Sequence, residues 1–266
     1  MSFETSEQST WWGKFKLEIE QNKEWHVGPL KLIVRRLKNE WQIAHESADD
    51  FDSTDFSWEI KSTDQQPGSF NNNSRYILHD TAGQLIVTPK LADRPIVSRP
   101  HIPFNLAAGE EIILYVSTPL WVELEVGSTP LKSIAIQRLS DTWFGPSTLE
   151  GDFCYASTTH CRLNFEDLPR RSHRAITPVL IRNKSKTTLL LERLNLPIPL
   201  LPLYTSSIGQ LWTPLITLTR EKDGDMAELK IDDKPPTETD ITEKISDARD
   251  KTNTNVLFRA FNTVFS

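Results

Sequence analysis

Hydrophobic and polar positions alternate along most of this chain with a period of two, the mark of strands that keep one face wet. Residues 110–126, EEIILYVSTPLWVELEV, show the pattern best. Trp121, Val122, Leu124 and Val126 carry apolar bulk, and Glu123 and Glu125 stand against them. The stretch predicts two strands joined by a turn at Ser117-Thr118-Pro119. Residues 12–20 alternate in the same way, with Phe15, Leu17 and Ile19 set against Lys14, Lys16 and Glu18, and a turn is predicted at 21–23. Strands over 30–37 and 40–45 predict a hairpin about Lys38-Asn39, and 75–79 with 84–88 predict another about 80–83. Residues 175–182 and 187–194 flank a polar loop and read as a third hairpin. Residues 212–219 and 227–231 read as a fourth, turned by Asp223-Gly224. Shorter strands are predicted near 96–98, 101–106, 132–138, 153–157 and 162–165, and the Gln/Asn/Ser-rich stretch 62–74 is a loop.

The pattern changes after Pro235-Pro236. Ile241, Ile245 and Ala248, then Val256, Leu257, Ala260, Phe261 and Val264, lie at helical spacing, with Thr239 or Asp240 available as a cap. This predicts a short C-terminal helical element, broken or followed by a strand. The expected fold is therefore all-β: an antiparallel β-sandwich, because short hairpin loops cannot make parallel crossovers. Its expected division is a disordered stretch at 1–10, an N-terminal β-subdomain over 11–95 and a C-terminal one over 96–266.

Composition narrows the function classes. A chain of 266 residues with eight Trp and twelve Phe can bury a sizeable core without cross-links. Its net charge of −6 and scattered Lys and Arg argue against nucleic-acid binding, which needs a basic face to meet phosphates. Two cysteines give no disulfide framework, and the first residues show no apolar signal segment. The longest apolar stretch, 194–204, is about half the length that spans a bilayer and contains Pro197, Pro199 and Pro202. A cytoplasmic protein without a membrane span is expected.

No motif with a defined chemistry stands out. Cys154, His160, Cys161 and His173 are ligand types for zinc, yet a Cys-x₆-Cys spacing with adjacent His160 and Cys161 makes a poor clamp. A Cys161–His173 nucleophile and base would have to meet in space, and no local signature supports it. Arg170, Arg171, His173 and Arg174 form the one basic cluster, which reads as a solvated loop or as a seat for an anion or acidic partner. Asp49, Asp50, Asp52 and Asp55 resemble a loose calcium loop that lacks the required Gly. Trp11, Trp12, Trp25, Trp41, Trp58 and Trp143 are candidates for stacking on sugars, against the common fate of aromatic burial. Trp143-Phe144-Gly145-Pro146 reads as a tight corner in which Gly145 permits positive φ and Trp143 or Phe144 anchors the core.

The order IVTPKLADRPIV, HIPFNLAAGEEIILYVSTPLWVELEV, Trp143-Phe144-Gly145-Pro146 and Gly151-Asp152-Phe153-Cys154-Tyr155, together with Trp12-Gly13-Lys14-Phe15, resembles a prokaryotic family of uncharacterised proteins. The resemblance runs from Trp12 to about Trp212 and implies a soluble β-rich protein of archaeal or proteobacterial type. Genes of that family tend to lie near small mechanosensitive channels, which implies a membrane-associated or osmotic context. Phe144 stands where the family tends to have Tyr, so no catalytic tyrosine is carried over.

The first functional reading is a non-enzymatic interaction or regulatory protein, with a protein partner such as a channel or its neighbourhood. Its candidate binding surface is Trp143, Phe144, Tyr155, Arg170, Arg171 and Arg174. The alternative is a small-ligand or carbohydrate-binding module using exposed Trp. A third reading is an enzyme or metal site around Cys154, His160, Cys161 and His173. No cofactor is expected.

Overall fold

Strand is almost the only regular structure that the alternating pattern supports. A computed structural model describes residues 9–48, 57–78, 83–147, 149–251 and 256–261, without the side chains of Thr158, Thr159, His160 and Val256. Among the described residues there are twenty-two strands and three short 3₁₀ turns, and no α-helix. None of the described residues forms a helix long and apolar enough to cross a membrane. The protein is all-β.

The organising element is the strand Glu111–Val126, sixteen residues long. Its first part pairs antiparallel with Arg174–Asn183 up to Pro119. From Leu120 it pairs instead with Gln84–Leu91, and from Trp121 also with Thr129–Ala135. The predicted turn at Ser117-Thr118-Pro119 is therefore not made. Pro119 has no N–H to give a ladder, and a strand tolerates it where one set of partners ends and another begins. The two polar residues before it, which looked like turn residues, bond across the sheet. The Thr118 hydroxyl meets that of Thr177 at 2.8 Å, and the Ser117 carbonyl accepts from the Arg174 guanidinium at 3.2 Å.

This strand runs through an eleven-stranded sheet, accompanied by sheets of five, four and two strands. The five-stranded sheet is built from Trp58–Ser62, Asn22–Val27, Leu30–Leu37, Glu40–Ser47 and Asn73–Ile77. The predicted hairpin between 30–37 and 40–45 is formed there. Asn22–Val27 corrects the predicted turn at 21–23. Its charged residues hid it, but Glu24 is buried, with its carboxylate bonded to the His26 ring and 3.8 Å from the Lys61 ammonium. The four-stranded sheet is ordered Ser140–Phe144, Asp152–Cys161, Ile96–Pro100, Leu194–Leu196.

Three further expectations are corrected. Residues 75–78 and 84–88 do not pair, residues 79–82 lying outside the described residues; Asn73–Ile77 joins Glu40–Ala44, and Gln84–Leu91 joins Gly13–Lys16 and the long strand. Arg174–Asn183 and Leu189–Leu191 likewise find separate partners, the latter pairing with Phe104–Leu106. The sheets are not purely antiparallel: Asp152–Cys161 runs parallel to Ile96–Pro100, and Arg174–Asn183 runs parallel to Ile216–Arg220. In each case a long-range partner outcompetes the local turn.

The C-terminal helix is also absent. Ile241–Ser246 is a strand on Leu203–Ser206, and Val256–Arg259 is a strand on Met226–Ile231. Ile241, Glu243 and Ile245 fit a period of two as well as Ile241 and Ile245 fit a helix, and an open sheet edge decides between them. Val264, the predicted N-terminal disorder up to residue 8, and the acidic run 49–55 lie outside the described residues.

One hydrophobic cluster extends from Trp11 to Phe261 and includes the buried indoles of Trp25 and Trp41. Fully burying a large apolar side chain contributes about 1.5–3 kcal/mol, so this shared core holds the sheets together.

Candidate functional site

Three sheets meet where the end of Glu40–Ser47, the Trp121 end of the long strand's second ladder and the paired strands Ser140–Phe144 and Asp152–Cys161 approach one another. The Ser47 hydroxyl donates to the Ala135 carbonyl at 2.8 Å, and the Arg138 amide donates to the Ala48 carbonyl at 3.0 Å. These bonds stitch the walls of a cavity of about 420 Å³. A neighbouring cavity of about 580 Å³ shares Ser47, Asn72 and Arg138 with it, so the two form one groove.

An aromatic pair makes one wall. The rings of Trp121 and Tyr155 lie 5.5 Å apart, tilted by 41°. The Tyr155 hydroxyl donates to the Asp93 carboxylate at 2.9 Å. Burial first, and then the Asp93 charge, push this phenol up to about 12, so it stays a neutral donor. The Arg94 guanidinium sits 4.6 Å from the Phe153 ring and 5.1 Å from the Tyr155 ring, and pairs with Asp141 at 3.1 Å. A guanidinium stacked on two rings is held in place by its delocalised face while its edge stays free for hydrogen bonds.

The opposite wall is polar. Gln137 is 2% exposed, and its Oε1 has no hydrogen-bond partner among the described residues. His45 Nδ1 is likewise buried without one. Burial, helped by the charge of Lys132, pulls His45 down to about 4, so its ring is neutral near pH 7. Arg138 is exposed at the rim, its side chain making no bond among the described residues.

The paired strands Ser140–Phe144 and Asp152–Cys161 carry the surface beside the cavity. Their register sets Trp143 opposite Phe153 and Asp141 opposite Tyr155, all on one face. The alternate positions Phe144 and Cys154 point the other way and are buried with Val97. Trp143 is 41% exposed, Phe153 50% and Leu149, in the connection, 93%. The Trp143 indole N–H donates to the Ser147 carbonyl at 2.7 Å, which anchors the ring at the surface.

The corner glycines act through space. Gly145 does not adopt the positive φ that its place in the sequence suggested. A Cβ there would meet the Glu150 carbonyl oxygen at 2.2 Å, and one at Gly151 would meet the Trp143 ring and the Phe144 carbonyl near 2.7 Å. The anchor of the corner is Phe144, and Trp143 stays outside.

The structure thus places Trp143 and Tyr155 on one face and Phe144 on the reverse. The basic cluster is elsewhere and is not a solvated loop. Arg170 is exposed, but Arg171, His173 and Arg174 are buried. The Trp11 indole donates to the Ser172 carbonyl at 2.9 Å, the Ser172 hydroxyl donates to the Ser57 carbonyl at 3.2 Å, and the His173 ring presses on Gly28. This segment is consumed in packing the N-terminal strands against the long strand.

The cysteines are structural as well. Cys154 lies beside Asn195, and burial and Asp152 push its thiol up to about 12. Cys161 packs in the main core next to Ser98, and burial raises its thiol too. Seven positions apart on one strand, about 20 Å, they do not meet, and neither supplies a thiolate near neutral pH. Among the described residues no three His, Cys, Asp or Glu side chains group as metal ligands, and the His160 side chain is outside the description.

Reading the sequence missed Arg94, Gln137, His45 and Asp141. Arg94 falls between the predicted strands at 84–88 and 96–98, and nothing local to Gln137 or His45 announces a cavity that forms only when three sheets close.

A family model described as Protein of unknown function (DUF432) matches residues 11–266. No curated protein and no solved structure matches the chain. The chain belongs to the DUF432 family.

Proposed function

We propose that this member of the DUF432 family is a non-enzymatic interaction protein whose contact surface is the Trp143–Phe153 face with Arg94 beside it. The observation that carries the reading is the pairing of two half-exposed aromatic rings, Trp143 and Phe153, on adjacent strands next to a guanidinium already stacked in place. Trp, Tyr and Arg are the residues that dominate protein interfaces, because they give large contact area at low ordering cost. Leu149, exposed in the connection between these two strands, adds aliphatic surface that a sugar platform would not need. Both thiols are buried and held protonated, which favours recognition over nucleophilic chemistry.

The sugar-platform alternative has less support. Trp11, Trp12, Trp25, Trp41, Trp121 and Trp212 are buried and Trp58 is partly buried against the main core, which leaves Trp143 without a second well-exposed indole to form a flat stacking surface. We take the stacked sheets as a sandwich scaffold and place the protein in the cytoplasm, where two buried unpaired thiols are at home.

The test compares affinity capture by the wild type with capture by Phe153→Asp and by Ile208→Asp, a control at a similarly exposed position. A partner held by the wild type and the control, and lost by Phe153→Asp, supports the reading. A channel subunit as that partner would join the surface to the context the family resemblance implies. Equal capture by all three removes this face from the interface.

A further inference from the structure

We propose that the cavity between Gln137, His45, Arg138 and the Trp121–Tyr155 wall binds a small hydroxylated anion, a carboxylate or phosphate of monosaccharide size. The inference goes beyond the partner reading and does not depend on it. Buried polar atoms in folded proteins nearly always find a partner, and one left over on a residue that lines a cavity calls for a group that can reach it from there. Gln137 Oε1 is such an atom, on a side chain almost wholly enclosed, and it can only accept. It therefore calls for a ligand hydroxyl or N–H. His45 Nδ1 is a second such atom, and as a neutral imidazole it takes either role.

The charge requirement comes from the arginines. Arg94 is partly committed to Asp141, so the two offset one another. Arg138 lines both cavities, and its guanidinium is uncommitted among the described residues. Lys132 adds positive potential from behind His45, with its ammonium bonded to Ser74 at 2.7 Å. Glu46, on the wall of the second cavity, is exposed and weakens this field only at the outer end. Asp93, which accepts from the Tyr155 hydroxyl, offsets one of the remaining cations, and the balance of Arg94, Arg138 and Lys132 over Asp93 and Asp141 still favours an anion whose charged group sits at Arg138 and whose hydroxyls reach inward to Gln137. The Trp121–Tyr155 wall then takes the C–H face of the ligand. The volume of about 420 Å³ lies in the range of small-molecule sites.

The experiment is calorimetric titration, followed in parallel by Trp emission since Trp121 is on the wall, with four probes. D-Glucuronate and glucose 6-phosphate carry both hydroxyls and an anion, and separate carboxylate from phosphate. Glucose carries hydroxyls alone, and propionate charge alone. At least one of the first two should saturate with a Kd below about 1 mM, and the last two should bind at least about tenfold more weakly. Arg138→Ala, a change at an exposed side chain, should weaken the favoured probe about tenfold. Gln137→Met should do the same, with circular dichroism checking that this buried change leaves the fold intact. The proposal is overturned if neither anion saturates by roughly 10 mM. It is equally overturned if glucose or propionate binds as well as the favoured anion, or if Arg138→Ala binds with wild-type affinity. Partner capture through Phe153 would be unaffected by any of these outcomes.

Discussion

His45 shows how one residue's surroundings set its behaviour. Its ring is half-buried in a wall that also feels Lys132, and both effects disfavour the charged form. The folded-state value, about 4, lies below the ordinary 6.5. Between those two pH values the unfolded chain binds a proton that the folded chain refuses, so stability falls as pH falls through this window. The contribution is fully present above about pH 6.5. Urea unfolding at pH 7 and at pH 4.5 should show the wild type losing more stability than His45→Gln. An identical loss in both proteins would place the acid sensitivity elsewhere. The same local logic explains why reading residues one at a time misjudged Arg171 and Arg174. A cluster of cations in a sequence looks solvated, yet backbone carbonyls such as that of Ser117 can hold a guanidinium inside.

At the scale of elements, the corner between Ser140–Phe144 and Asp152–Cys161 presents the proposed surface, and its two glycines are required by packing. Gly151→Ala would drive a Cβ against the Trp143 ring and the Phe144 carbonyl, and the backbone has little room to give. It should destabilise the protein by roughly 1–3 kcal/mol and shift Trp emission. Gly68→Ala, at a position with open space around it, should change neither. A second element-level contact is Arg249, which ties the chain after Ile241–Ser246 back to the main sheet. It donates to the Leu91 carbonyl at 2.7 Å, to Glu123 at 3.0 Å and to Ser133 at 3.2 Å. Arg249→Met should lower stability by about 1–3 kcal/mol in denaturant unfolding, and a neutral result would show that the C-terminal strands hold by their ladders alone.

Strand character was legible because alternation depends on which face is wet, and that is written residue by residue. The Leu30–Leu37 and Glu40–Ser47 pair was legible because its partners are neighbours in sequence. Partner choice across long separations was not. Pro119 looks like a turn from its neighbours alone, and becomes a change of partner only when Arg174–Asn183 and Gln84–Leu91 are both present. Within the candidate site, Trp143 and Tyr155 stood out as aromatics around a glycine corner. Gln137 and His45 gave no signal, because what distinguishes them is a missing hydrogen-bond partner, a property of the closed fold.

At the scale of the whole molecule, the long strand and the continuous core matter most. Trp11, Trp25 and Trp41 belong to the same hydrophobic cluster as Leu114, Leu124 and Leu218. Gln84–Leu91 lies in the same sheet as Arg174–Asn183, with the long strand between them. Residues 11–95 and 96–266 should therefore lose structure together. Far-UV circular dichroism and Trp emission should report one coincident urea transition. Two separated transitions would assign them to independently stable parts. A shared scaffold of this kind also holds the junction of three sheets rigid, so that the cavity and the Trp143–Phe153 face keep their geometry without a ligand.

Site-specific photo-crosslinking tests the claim that this face is a recognition surface most directly. A benzophenone amino acid would replace Phe153 in one protein and Ile208 in another, and both would be irradiated in the native cell extract. The account predicts a discrete covalent adduct from position 153, abolished by adding excess unlabelled wild-type protein, and none from position 208. The same adduct from both positions, or no adduct from position 153, would contradict it.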